Sequence, residues 1–172
     1  NQKMEEKIII KDMEETNIWW TKDFHIPEYK DRILYTEIKK FMKTRQIVAI
    51  TGLRRVGKTT MMFKFIKRYL EANFPNQNIF YFSFDDYSSV RISEIIDIYK
   101  RLFNKDLNSE NYLFVFDEIQ KIKNWEEQLK RIYDTYPKIK FLISGSESLF
   151  IRRKSRESLA GRIFEFKLNP LN

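Results

Sequence analysis

The chain has 172 residues, 42% hydrophobic and 16% aromatic, which suits one domain with a real core and excludes a disordered segment. It contains no cysteine, which excludes disulfides and thiolate metal sites, and no apolar run reaches the ~18 residues of a membrane span. The net charge of +8 reads either as a footprint for nucleic acid or as a lysine-rich surface around a site for a polyanion. The second reading is preferred, because the positive residues are scattered and the densest run, Arg152-Arg153-Lys154 with Arg156, is expected beside the site for that polyanion.

Residues 1–30 read as an N-terminal extension. Ile8-Ile9-Ile10 suggests a short strand, Met13 to Trp20 a helix anchored by Trp19 and Trp20, and Asp23 to Pro27 an extended entry segment. The N-terminus lacks the pattern of a secretion signal, so a cytoplasmic protein is expected. His25, the single histidine, reads as structural. The domain proper, residues 31–172, opens on an amphipathic helix over 31–43, where Ile33, Leu34, Ile38, Phe41 and Met42 recur at helical spacing.

A strand over 46–51 leads into Gly52-Leu53-Arg54-Arg55-Val56-Gly57-Lys58-Thr59. This run matches G-x-x-x-x-G-K-[ST], the phosphate-binding loop of nucleoside-triphosphate enzymes, and a helix to about Glu71 follows it. Phosphate oxygens are dense negative charge, and backbone N–H groups cradle them when the chain curls tightly. Gly52 and Gly57 permit that curl. Lys58 brings a positive charge to the β- and γ-phosphates, and Thr59 a hydroxyl to Mg²⁺. The start of the helix aims free N–H groups at the same anion. The candidate nucleotide-contacting set is therefore Gly52 through Thr60, with Leu53, Arg54, Arg55 and Val56 inside the loop.

Further along, 78–84 is a nearly continuous apolar and aromatic strand, as in a parallel sheet covered on both faces, and it ends in Asp85-Asp86. A helix over 92–103 and a polar connector precede a third strand, 112–116, which delivers Asp117-Glu118 at its C-terminal end. Ligands of open parallel sheets bind outside those strand ends. Asp117 is the candidate Mg²⁺ holder, and Glu118 the group that orients or deprotonates an attacking water. A helix over 125–136 ends at Pro137, and a strand over 139–143 leads into Ser144-Gly145-Ser146. A serine here, Ser146 foremost, either touches the γ-phosphate or the water, or caps the next helix. That helix is expected over 147–159, and a fifth strand over 163–168. All four glycines, at 52, 57, 145 and 161, sit in these loops.

Several runs together resemble the archaeal and bacterial AAA-type P-loop ATPases often paired with a C-terminal nuclease-like or winged-helix domain. They are Ile50 to Thr60, Phe82-Ser83-Phe84-Asp85-Asp86, Leu113 to Lys121, Trp125 to Lys130, Ile143-Ser144-Gly145-Ser146 and Ser158-Leu159-Ala160-Gly161-Arg162. The resemblance covers about residues 25–171. It implies an α/β fold: a three-layer αβα sandwich around a five-stranded parallel sheet in the order 5-1-4-3-2. It implies ATP with Mg²⁺, Ser144 or Ser146 near a sensor position, and Arg162 as a phosphate-sensing or finger arginine. The family pattern continues past Pro170-Leu171, so the chain is expected to stop short of a C-terminal domain.

The expected function is ATP binding and hydrolysis that drives a conformational change in an attached domain or a partner, either DNA or a protein, with homo-oligomerisation open. A nucleic-acid-binding module using ATP as a switch is the alternative. A phosphotransferase is weaker, because an adjacent Asp-Glu pair suits water activation. Tyr29, Trp19 and Trp20 are candidates for the base pocket. No membrane association is expected.

Overall fold

The computed structural model describes residues 2–27, 32–53, 55–147 and 157–170. Its centre is a five-stranded sheet built from β1 (Ile47–Thr51), β2 (Ile79–Ser83), β3 (Tyr112–Asp117), β4 (Ile139–Gly145) and β5 (Ile163–Lys167). The strands run in the order β2-β3-β4-β1-β5, and every pairing is parallel. This is the expected 5-1-4-3-2 order read from the other edge. Helices flank the sheet: α1 (Gln2–Thr16), α2 (Ile33–Phe41), α3 (Lys58–Glu71), α4 (Ile92–Phe103) and α5 (Trp125–Thr135). Residues 148–156, most of the helix expected over 147–159, lie outside the described residues, as does the basic run Arg152 to Arg156.

The three middle strands are apolar along most of their length because both faces are covered; every residue of β1 and β3 is buried, and Lys140 is the partly exposed exception in β4. Aromatic rings fill one layer. Phe80, Phe114, Phe116 and Phe141 project from successive strands, and Tyr99 of α4 stacks on Phe80 with centroids 4.6 Å apart. The opposite edge strand, β5, is only half covered, and Phe41 of α2 packs on its Phe164 and Phe166.

The N-terminal segment departs from expectation. Ile8-Ile9-Ile10 is not a strand but the middle of α1. Ile9 and Met13 lie four apart on one helical face and are 6% and 1% exposed, whereas Ile8 points outward at 55%. The edge that such a strand would need is already occupied. Asn17 Oδ1 accepts from Tyr81 N at 2.7 Å, and Asn17 Nδ2 donates to Tyr81 O at 2.9 Å, so one side-chain amide takes the place of a neighbouring strand's backbone. Trp19 and Trp20, in a 3-10 turn, both donate their indole N–H to Ile79 O, at 2.9 and 2.7 Å.

A parallel sheet sends the C-terminal ends of its strands to one side. Thr51 pairs in register with Gly145, and Ser83 with Asp117, so the residues after β1, β3 and β4 converge there.

Candidate functional site

The loop between β1 and α3 closes on two glycines for different reasons. Gly57 adopts a left-handed backbone (φ 97°) and stands as the N-cap of α3 with no side-chain cap, which leaves the first N–H groups of the helix available. Gly52 is required by close approach: a Cβ there would lie 2.5 Å from Leu168 O and 3.1 Å from Val56 Cγ2. Arg55 also adopts a left-handed backbone (φ 67°), which turns the chain toward α3. Leu53 and Arg55 are exposed, Val56 is buried, and Arg54 lies outside the described residues.

Lys58 and Thr59 occupy the first turn of α3. The buried Lys58 ammonium donates to Gly52 O at 2.9 Å and Gly145 O at 3.1 Å, bridging the ends of β1 and β4, and lies 3.7 Å from Glu118 Oε1. Thr59 Oγ1 donates to Asp117 Oδ2 at 2.7 Å. The same oxygen accepts from Tyr81 Oη at 2.6 Å, while Asp117 Oδ1 accepts from the Ser144 hydroxyl. Asp117 is buried, so these three hydroxyl donors replace the water it has lost. Burial, and then the Asp117 charge, push the Tyr81 phenol far above its ordinary value, so Tyr81 keeps the proton it donates to Asp117.

Glu118 follows β3 in a left-handed conformation (φ 55°, ψ 45°) that costs a non-glycine residue roughly 1–2 kcal/mol. Two contacts hold it. Its backbone N–H donates to Ser144 Oγ at 3.0 Å, and its Oε2 accepts from Gln120 Nε2 at 2.7 Å. The turn aims the carboxylate back toward Lys58. Gln120 Oε1 is buried without a hydrogen-bond partner among the described residues.

Lys58, Thr59, Asp117 and Glu118, each singled out in the sequence, thus form one contiguous cluster with the two glycines. Ser144 joins them by direct contact with Asp117, and Ser146 follows at the end of β4. Thr60 is in the same helical turn as Thr59. Arg162 is not brought to this cluster. It precedes β5 at the N-terminal end of the sheet, where its carbonyl accepts from Ile47 N, about one strand length (roughly 16 Å) from the loop. There its guanidinium forms two bonds to Asp134, at 3.0 and 3.2 Å, which hold the Asp134 carboxyl below the ordinary range. Trp19 and Trp20 are corrected as base-pocket candidates, since both are buried: Trp19 packs on Phe24 and on Phe63 of α3, and Trp20 on Phe80 of β2 and Phe103 of α4. Tyr29 lies outside the described residues. The residues that sequence reasoning missed are Tyr81 and Gln120. Tyr81 carries the one hydroxyl inside the apolar run Ile79 to Phe82, and that was the available signal.

Fold, loop and acidic strand end together define the P-loop nucleotide-binding class. The chain belongs to the AAA domain family of P-loop ATPases, whose pattern matches residues 44–172. Two uncharacterized proteins of Methanocaldococcus jannaschii are similar to it, at 30% identity over 145 residues and 27% over 143. The aligned regions cover 83% and 81% of this chain. The chain spans only 31% and 29% of the length of those relatives. Among solved structures, AMPPCP-bound DnaA from Aquifex aeolicus superposes with a TM-score of 0.53 at 16% identity, over 84% of this chain and 49% of that one.

Proposed function

We propose that the chain binds Mg²⁺-ATP at the 52–57 loop and hydrolyses it to drive a conformational change in an attached domain or a partner. The observation that carries this reading is a single linked cluster beside an uncapped helix start. Lys58, Thr59, Asp117, Glu118 and Ser144 come from one helix and two strand ends, and each lies within hydrogen-bond or ion-pair reach of at least one other.

The donor set fits a magnesium ion. Thr59 and Asp117 offer a hydroxyl and a carboxylate 2.7 Å apart, both hard oxygen donors. Among the described residues no group of three or more His, Cys, Asp or Glu side chains forms a cage, which suits an ion completed by phosphates and water. Mg²⁺ would supply charge neutralisation on the β- and γ-oxygens. Lys58 holds the phosphate chain in exchange for the carbonyls of Gly52 and Gly145, and the loop residues Leu53, Arg54, Arg55, Val56 and Gly57, with Thr60, supply further contacts. Glu118 orients the attacking water and takes its proton, with Gln120 fixing one carboxylate oxygen. Ser144 positions both acids, and Ser146 faces the terminal phosphate. Arg162, remote from its own loop, acts on the site of a neighbouring copy, so turnover per protein rises with protein concentration.

Equilibrium binding of Mg²⁺-ATP tests the reading. Micromolar binding is expected, and Lys58→Ala loses it. Glu118→Gln retains binding but loses turnover by about 100-fold or more, the usual contribution of a positioned base. A Glu118→Gln protein that hydrolyses ATP at the parent rate removes Glu118 from the mechanism. The second reading, a nucleic-acid module switched by ATP, rests on the net charge of +8. DNA binding that falls steeply with salt would favour it.

A further inference from the structure

Arg32 has no assigned part in the site, yet its side chain reaches it. It stands immediately before α2 with an extended backbone (φ −88°, ψ 151°), and its carbonyl accepts from Tyr35 N at 3.0 Å. Its guanidinium crosses to the phosphate-binding loop. Nη2 lies 3.3 Å, and Cζ 3.7 Å, from the position a Cβ would take on Gly57. Nη1 donates to Asn169 O at 3.2 Å. That is its one hydrogen bond among the described residues, from five N–H donors, and no carboxylate pairs with it there.

Three positive features therefore meet at Gly57: the Arg32 guanidinium, the Lys58 ammonium and the positive end of the α3 dipole. Lys58 has Glu118 as a counter-ion at 3.7 Å. Arg32 has none among the described residues, and its half-buried position reduces the solvation that an exposed arginine enjoys. An unpaired guanidinium held against the glycine that starts an uncapped helix is arranged for an anion that arrives from outside.

We infer that Arg32 is a ligand of the nucleotide's phosphate chain, a second cation beside Lys58 supplied by the segment ahead of β1. The inference rests on the nucleotide reading above. Arginine suits the task because its planar fork meets phosphate oxygens with two parallel bonds, whereas lysine acts as a point charge. Arg32 also ties two parts of the molecule to the loop. Leu168 N donates to Thr51 O at 2.7 Å, Leu168 O is the atom that forbids a side chain on Gly52, and Asn169 O is the acceptor of Arg32. The segment leaving β5 and the bound phosphates thus share one guanidinium.

The test is titration of the parent, Arg32→Ala and Arg32→Lys proteins with Mg²⁺-ATP, and with inorganic tripolyphosphate as a competitor that has no sugar or base. Arg32→Ala is expected to weaken both ligands by about tenfold or more, the scale of a charge-assisted contact, and Arg32→Lys to recover part of the loss. The thermal midpoint should stay near that of the parent, because the one bond given up is exposed. Parent binding that Arg32→Ala leaves unchanged overturns the inference and leaves the nucleotide reading standing. A loss with ATP but not with tripolyphosphate also overturns it, by moving the contact to the sugar or base. Absence of binding by the parent itself overturns both.

Discussion

Asp117 accepts from three hydroxyls in a buried setting, and each bond to a charged acceptor contributes about 1.5–3 kcal/mol. Tyr81→Phe removes one of them while leaving the ring against Phe63, 4.8 Å away. The expected result is a loss of about 1–3 kcal/mol in urea unfolding, with little change in the sheet; an unchanged midpoint would show that Thr59 and Ser144 suffice. Gly52→Ala belongs to the same scale but acts by collision, since the added Cβ meets the backbone of Leu168 at 2.5 Å. Neither atom belongs to a flexible side chain, so the exit from β5 has to move. Weakened ATP binding together with lower stability is expected, and ATP titration beside thermal melting checks it. Gly52, Lys58 and Thr59 were legible in the sequence because contiguous spacing alone fixes their geometry, and Glu118 because an apolar strand delivers it beside Asp117. Tyr81 was not, because it meets Asp117 only through the register of two strands 36 residues apart. The Arg162–Asp134 pair was hidden for the same reason: nothing in either segment announces the other.

At the scale of elements, the N-terminal segment closes an edge. A free strand edge presents unpaired N–H and C=O groups that invite another chain. On β2 those groups at Tyr81 are both taken by the buried Asn17 amide, and Ile79 O is taken by two indoles. Asn17→Ala strands one buried donor and one buried acceptor, at roughly 1–3 kcal/mol each. A loss of about 2–5 kcal/mol is expected in denaturant unfolding, with faster aggregation on warming; stability within ~0.5 kcal/mol of the parent would show that water replaces the amide. The strands and helices from β1 to β5 were readable because burial on both faces writes itself as unbroken apolar runs, and the helices as recurrent apolar positions. In the first twenty residues the helix after Met13 and the two tryptophan anchors were readable, and the rest was not. Three isoleucines in a row carry no period, and an asparagine that mimics a strand looks like any turn residue.

Across the whole molecule, the tyrosines set the response to alkali. Burial pushes Tyr69 and Tyr112 up to about 12, and Tyr81, Tyr87 and Tyr99 are raised as well, with burial the leading cause in each. A phenol raised in the folded state stays protonated there while the unfolded chain releases its proton near pH 10. The stability it contributes is thus complete below about pH 10 and is lost as pH rises through the folded values. Lys140 has the opposite sign. Burial lowers its ammonium to about 8, against an ordinary value near 10.5, while Phe41 O, Thr44 O and Gln46 O accept from it. Between pH 8 and 10.5 the unfolded chain holds more protons at this one site, so it adds a rise in stability of up to about 1.4 kcal/mol per pH unit. Above pH 10.5 Lys140 is neutral in both states and no longer opposes the five tyrosines, so the fall dominates. Tyr81 and Tyr99, both buried, each steepen it by up to about 1.4 kcal/mol per pH unit. Urea unfolding at intervals from pH 8 to 11.5 should therefore show a rise followed by a steep decline, and Tyr99→Phe should make the decline shallower even though it removes the bond to Gln77 O. A curve that stays flat through pH 11.5 would mean that the phenols, Tyr99 on Phe80 included, reach solvent before they ionise.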